Sequence, residues 1–305
     1  MLQVHVALPS GKQKSIAIAE SSKAGDLKRL AQRSFEQGFL SFVTAEGHVL
    51  ADPNQSLQAA GLQEGDHLTA IVQQAKMAAT RRAFAMWCYG GDTIITWGDR
   101  EHGGDITSAV QDQLWNVAGS GHICAFAAIL ADGSVVTWGS PKNGGDSSAV
   151  QDQLRNVQQV QAAASAFAAI LADGSVVSWG HSGFGGDSSA VQDQLRNVQQ
   201  VQGTGRAFAA ILADGSVVTW GRADGGGDSS AVRDQLRNVQ QVQGTGRAFA
   251  AILADGSVVT WGSADFGGDS SEVQDQLKGV QQVQATSGAF AAILADGSVV
   301  TWGLQ

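Results

Sequence analysis

The sequence predicts a mainly β protein in two parts: a small α+β domain over residues 1–73 and a β-propeller of about six 41-residue repeats over residues 74–305. Three observations predict it. A Trp-Gly pair recurs at Trp97, Trp138, Trp179, Trp220, Trp261 and Trp302, 41 residues apart each time. The segment AFAAILADGSVVTWG starts at Ala125, Ala207, Ala248 and Ala289, and again at Ala166 with Ser178 in place of Thr. The first 73 residues show no such period. A fixed period of this length marks a repeat architecture, whose units are too small to bury a core alone and shield one another's apolar faces by stacking.

The first part opens with Leu2, Val4 and Val6 in alternation, a turn at Pro9, Ser10 and Gly11, and a second apolar alternation at Ile16 and Ile18. That pattern predicts a β-hairpin. In SSKAGDLKRLAQRSF, Leu27, Leu30, Ala31 and Phe35 mark one face of a helix, with Ser22 as its expected N-cap. Short strands are expected at Leu40 to Val43 and His48 to Leu50, and a last strand at DHLTAIV.

Each repeat reads as a hairpin, a glycine-rich loop, a short helix and a further strand. The Asp-Gly in ADGS is a turn signal, because Gly tolerates the positive φ that a tight hairpin turn needs. Asp132, Asp173, Asp214, Asp255 and Asp296 are therefore expected to be turn residues. Ala and Leu in AFAAILA favour helix, but the short run and the β-branched VVTW after the turn favour strands covered on both faces. The first, divergent hairpin is AFAMWCYGGDTIITWG, from Ala83 to Gly98. In GGDSSAVQDQL, Ser148 with Gln151 and Ser271 with Gln274 have the spacing of a capping box, which places Val150 and Leu154 toward the core. The recurring loop aspartates, Asp105 to Asp269, lack the flanking acidic ligands of a calcium site and read as caps. One aromatic at a fixed place in every unit reads as stacked core.

Composition excludes several classes. The formal charge is −9, of which −8 falls outside Met1 to Val72, so nucleic acid is not expected as a partner. Two cysteines, Cys88 and Cys124, allow neither a disulfide framework nor a four-cysteine zinc site. No run of 18 apolar residues occurs and the chain starts directly in a strand pattern, so no membrane association is expected and the expected location is cytoplasmic or nuclear. No nucleophile with its base and no phosphate loop can be identified, so no enzyme activity, cofactor or metal is expected. Cys124 beside His122 is the one weak redox or nucleophilic candidate.

The order hairpin, helix, short hairpin and last strand, with Asp52, Leu57, Leu62 and the strand Leu68 to Val72, resembles the ubiquitin-like (β-grasp) fold. Val72 runs into QQAKMAAT in place of a Gly-Gly tail, so conjugation to other proteins is not expected. The recognition patch implied by the resemblance falls near Ser41, Phe42, Thr69 and Ile71. From NVQQVQ through AFAAILADGSVVTWG to GG, the repeat resembles the regulator-of-chromosome-condensation family, with Asp296, Gly297, Val299, Trp302 and Gly303 at matching places in the last unit. That family implies a propeller, and includes an exchange factor for a small GTPase and the propeller regions of HERC-type ubiquitin ligases.

In repeat proteins, recognition is expected where the units differ. Two strips differ here. One follows Trp-Gly and contains His181, Phe184, Arg222 and Phe266; the other precedes the hairpin and contains Arg81, Arg82, His122, Arg206 and Arg247. With Phe42 and Ile71 these are the candidate partner-binding residues. The leading expectation is a non-enzymatic adaptor, its head bound to a ubiquitin-pathway receptor and its propeller to a client protein. The alternatives are regulation of a small GTPase, and a ubiquitin-ligase fragment without its catalytic domain.

Overall fold

The structure, a computed structural model, describes residues 1–36, 39–50, 55–73, 75–80, 82–88, 94–105, 119–122, 124–130 and 132–304. The chain divides into two compact units, one centred on Met1–Met77 and one holding Ala118–Gln305 with Ala78–Phe84 and Thr96–Ile106.

In the first unit, β1 (Leu2–Ala7) and β2 (Gln13–Ile18) form the expected hairpin, followed by α1 (Ala24–Phe35), β3 (Phe39–Thr44) and β4 (His67–Gln73). The sheet order is β2-β1-β4-β3, with β1 and β4 parallel and the other pairs antiparallel. Alternation in the strands sends Val4, Val6, Ile16, Ile18, Leu68 and Ala70 inward, where they meet Leu27, Ala31 and Phe35 of α1. Three local expectations are corrected. The N-cap is Lys23, whose N–H donates to Asp26 Oδ2 at 3.0 Å, while Ser22 stands one residue earlier, where its carbonyl accepts from Leu57 N. Leu30 is exposed, since it lies at the edge of the helix face that Leu27 and Ala31 centre on the sheet. His48 to Leu50 makes only a bridge, Val43 with Val49, where a strand was expected. Asp52 lies outside the described residues.

Among the described residues the repeats form six three-stranded sheets, or blades. Blade one is β5 (Ala75–Ala79), β6 (Ala83–Cys88) and β7 (Ile94–Gly98); blade two is β8 (Gly119–His122), β9 (Ala125–Ile129) and β10 (Val135–Gly139). Blades three to six each take one VQQVQ strand, one AFAAIL strand and one VVTWG strand: β11 to β13 from Val157 to Gly180, β14 to β16 from Val198 to Gly221, β17 to β19 from Val239 to Gly262, and β20 to β22 from Val280 to Gly303. The β propensity of VVTW thus prevails over the helix propensity of AFAAIL, because neighbouring blades cover both faces of that central strand.

Each hairpin closes through its Asp-Gly turn. Asp173 Oδ1 accepts from Ser175 N at 2.9 Å and Ser175 Oγ at 2.6 Å, and Gly174 sits at φ +77°. The residue before each VQQVQ strand is also left-handed: Asn156, Asn197 and Asn238 have φ of 54 to 55°, and the last repeat has Gly279 there at 65°.

Four of the loop aspartates cap as expected, while the Ser-Gln capping box is corrected in its partners. Asp187 is the group that accepts from Ser189 N, at 2.9 Å, and the same bond recurs at Asp146, Asp228 and Asp269. The Gln of the motif reaches away from the turn. Gln192 Nε2 donates to Val176 O at 3.0 Å in the hairpin, and its Oε1 accepts from Ser188 Oγ at 3.0 Å. The short segment is a 3₁₀ helix, and its Leu195 is buried.

Four equivalent cores join consecutive blades. Between blades five and six, Ala248, Ala250, Ile252 and Val258 on one side meet Val280, Val283, Phe290, Val300 and Trp302 on the other. The same positions meet at the three preceding junctions. In each later blade Phe and Trp lie opposite each other on paired strands and stack, as Phe208 and Trp220 do at 5.2 Å. The indole N–H then donates to a glycine carbonyl in the loop after the preceding hairpin: Trp179 to Gly144, Trp220 to Gly185, Trp261 to Gly226 and Trp302 to Gly267, at 3.0 to 3.1 Å. A Cβ on Gly185 would stand 2.7 Å from the Phe208 ring, so the loop reaches the aromatic pair only as glycine.

The turn and loop aspartates set a pH dependence. Hydrogen bonds from the serine hydroxyl, then the serine N–H, hold Asp132, Asp173, Asp214, Asp255 and Asp296 below the ordinary value of 3.8. The serine N–H, then its hydroxyl, does the same to Asp146, Asp187, Asp228 and Asp269. Folded carboxylates that bind protons more weakly than unfolded ones contribute stability that is whole above the unfolded value and is lost as pH falls through the folded values. The melting temperature, followed by circular dichroism, should therefore hold from about pH 7 to about pH 5 and drop below about pH 4. A melting temperature that rises on acidification would contradict this.

Candidate functional site

The two variable strips are distant in sequence, and the fold ties them together within a blade. After each Trp-Gly the chain makes a single 3₁₀ turn, such as Ala223–Gly225 after blade four and Ala264–Phe266 after blade five. Thr204, in the loop before the blade-four hairpin, donates its hydroxyl to Gly225 O at 3.0 Å and accepts from the N–H groups of Arg206 and Ala207 at 3.1 and 3.0 Å. Thr245 holds Phe266 O in the same way at 2.9 Å, and Thr80 holds His102 O at 3.0 Å. Successive loops are then strung together by backbone bonds: Ala164 N to Gly205 O, Gly205 N to Gly246 O, and Gly246 N to Ser287 O. The result is a rim along one end of the blades on which Arg206 and Arg247 occupy equivalent places.

At its centre, Arg222 grips Asp224 with two parallel bonds, Nε to Oδ1 at 2.8 Å and Nη2 to Oδ2 at 2.9 Å. Arg206 Nη1 reaches Asp224 Oδ2 at 3.0 Å. The hydrogen bonds from Arg222, its charge, and the charges of Arg206 and Arg247 hold the Asp224 carboxyl below its ordinary range. The Arg247 guanidinium lies 4.9 Å over the Phe266 ring, a cation–π contact between the two strips. Asp224 was not among the residues singled out from the sequence. Its signal is the Arg-x-Asp spacing of Arg222 and Asp224, which the Gly-rich surroundings obscure.

The other candidates fall elsewhere. His181 and Phe184 form their own edge-to-face pair at 4.9 Å, with His181 Nδ1 accepting from Gly183 N. Phe184 and Phe266 are half-buried, because each also packs against an interblade core. Arg82 is exposed and stands 3.8 Å from Asp99. Phe42 is corrected: strand alternation pairs it with Ala70 and turns it into the core, so it cannot line a recognition patch. Ile71, one residue on from Ala70, is exposed, as is Val72. Arg81 and the side chains of His122 and Cys88 lie outside the described residues. Among the described residues no three His, Cys, Asp or Glu side chains are grouped to hold a metal ion, and no helix is long and apolar enough to cross a membrane.

No protein-family model matches the chain, and no curated protein sequence matches it. Solved structures do. Yeast RCC1 (Prp20), in its complex with Kap60, is similar over 76% of this chain and 70% of that one, with 15% identity and a TM-score of 0.50. Human WBSCR16 is similar over 79% of this chain and 80% of that one, with 17% identity and a TM-score of 0.49. A ubiquitin-like domain of an Arabidopsis thaliana protein is similar over 23% of this chain and 76% of that one, with 20% identity and a TM-score of 0.22. The likeness to yeast RCC1 shows a shared fold: the repeats build an RCC1-like β-propeller architecture.

The threonine clamp is what places the arginine rim. Thr204→Val keeps the side-chain shape but leaves Gly225 O and the Arg206 and Ala207 N–H groups without a partner, at a cost of about 1–3 kcal/mol. Amide hydrogen exchange of the Arg222–Gly227 turn should quicken while the blade-six strands keep their protection. Unchanged exchange in that turn would show that the clamp does not hold it.

Proposed function

We propose that the chain is a non-enzymatic adaptor whose arginine rim binds an acidic segment of a client protein, with residues 1–73 serving as a ubiquitin-like head for a ubiquitin-pathway receptor. The observation that carries this reading is the gathering of Arg206, Arg222 and Arg247 around one carboxylate, Asp224, beside the Phe266 ring. Three guanidinium groups stand with the carboxylates of Asp224 and of Asp265 in the next turn, a formal excess of one positive charge on a chain whose formal charge is −9. Guanidinium forks match carboxylates in geometry, and Arg beside an aromatic ring is the residue chemistry that anchors protein interfaces. The rim also lies at positions where the repeats differ, so it can serve recognition without altering the interblade cores. For the head, the exposed Ile71 and Val72 supply a small apolar contact surface.

A fluorescein-labelled poly-glutamate peptide tests the rim. The unaltered chain should bind it in a salt-sensitive manner, and Arg206→Glu with Arg247→Glu should weaken binding by at least about tenfold in fluorescence anisotropy. Absence of binding by the unaltered chain, or binding indifferent to the charge reversal, would remove the proposal.

The fold shared with yeast RCC1 favours regulation of a small GTPase as a second reading, although fold alone does not carry an activity. That reading requires faster nucleotide release from some GTPase in stopped flow on adding this chain, and it fails if a panel shows none.

A further inference from the structure

Blades four and five carry the same arginine and the same carboxylate at equivalent places, 41 residues apart: Arg206 with Asp224, and Arg247 with Asp265. Their arrangements differ. Arg206 Nη1 lies 3.0 Å from Asp224 Oδ2, and Arg222 closes its fork on the same carboxylate. Arg247 makes no such pair with the exposed Asp265; among the described residues its guanidinium has the Phe266 ring, 4.9 Å away, and no hydrogen-bonded acceptor. Gly225 stands in blade four where blade five has Phe266, and Ser263 in blade five where blade four has Arg222. Blade three has the ring, Phe184, but Ser165 in the arginine's place, and there His181 packs against the ring edge. Arginine and ring meet in blade five, where the ring is held firmly. Thr245 Oγ1 donates to Phe266 O at 2.9 Å, the ring packs against the core between blades five and six, and Gly246, beside Arg247, lies close enough that a Cβ there would stand 3.6 Å from the ring.

The difference decides which arginine is free to bind. A guanidinium over an aromatic face is held by its charge, and its N–H donors stay available for a planar acceptor. A carboxylate that arrives at Arg247 displaces no partner. At Arg206 and Arg222 it must compete with Asp224, which is already held by three hydrogen bonds. We propose, resting on the reading of the rim as a site for an acidic segment, that Arg247 is the residue that takes a glutamate or aspartate carboxylate of that segment, and that Phe266 determines specificity by keeping the guanidinium away from Asp265. Arg206, Arg222 and Asp224 then form a filled carboxylate site beside it: two guanidinium groups against one carboxylate attract the segment by charge, while the open fork of Arg247 reads it.

Phe266→Leu tests this, because it keeps every charge and an apolar contact with the core while removing the ring; Phe266→Met replaces it if that variant melts early. On the full chain, affinity for the fluorescein-labelled poly-glutamate peptide should fall at least about fivefold in fluorescence anisotropy, as Arg247 turns to Asp265. Adding Asp265→Asn removes that competitor, and the double variant should return to within about twofold of the unaltered chain, although asparagine repairs no packing. Asp265→Asn in the unaltered chain measures the bare effect of one lost negative charge, and should raise affinity by less than it does in the Phe266→Leu chain. Arg247→Lys, which keeps the charge and loses the planar fork, should weaken binding more than Arg206→Lys does. No binding by the unaltered chain removes the rim reading and this proposal together. Binding that falls when Arg206→Glu and Arg247→Glu are combined but is unmoved by Phe266→Leu leaves the rim reading standing and overturns this proposal alone, as do equal effects of Asp265→Asn with and without the ring.

Discussion

The repeat region depends on one interaction: the Phe-Trp pair of each blade from the third to the sixth, pressed on a glycine loop of the blade before it and tied there by the indole N–H. At blade four, Trp220 stacks on Phe208, donates to Gly185 O at 3.0 Å, and lies in the same core as Ala166, Ala168 and Ile170 of blade three. Dispersion, apolar burial and a satisfied polar group thus act at one point. A lone unit would leave that ring pair in water and the glycine carbonyl without its donor. Folding of a blade and docking of its neighbour are therefore one event, as in other stacked repeats.

This explains what was legible in the sequence and what was not. The 41-residue period, the Asp-Gly turns and the packing role of tryptophan could be read, because each rests on local chemistry repeated many times. The hairpin, helix and last strand of the first unit were also legible from alternation. The partners of the loop polar groups were not. Asp146 caps the turn as its recurrence suggested, yet Gln151, at capping-box spacing from Ser148, donates across to Val135 O, since a strand carbonyl lies within its reach once the loop folds back. Spacing along the chain cannot show a partner supplied by the return of the chain. Phe42 misled for a simpler reason: recognition by analogy ignored the two-residue alternation that turns it inward beside Ala70.

The rim was legible in its parts and hidden in its assembly. Arg206, Arg222, Arg247 and Phe266 stood out because they break the repeat. Nothing in the sequence joins Arg206 to Asp224, 18 positions away; Thr204 does so, by fixing Gly225 and the start of β15 (Ala207–Leu212) with one hydroxyl. In blade three the corresponding place is Ala163 and the arginine place is Ser165, and the polar joint is absent there with the charge. Clamp and arginine occur together in blades four and five, whereas blade six keeps the threonine, Thr286, with Gly288 in the arginine's place.

Near-identical units also impose a division of labour on the chain. Any substitution at a Phe, Trp, Ala or Gly of a junction acts on two blades at once, because each junction draws side chains from both. Arg206, Arg222 and Asp224 on the rim join the two loops of one blade. Asp224 and its arginines contribute little to the interblade cores, and exposed ion pairs of this kind add little to stability in any case. Their ordered geometry, with two arginines hydrogen-bonded to one carboxylate and a third sharing its field beside an aromatic ring, is therefore not accounted for by folding. Charges held in register where the scaffold does not need them are what the proposed recognition of an acidic partner requires, since charge complementarity discriminates between partners.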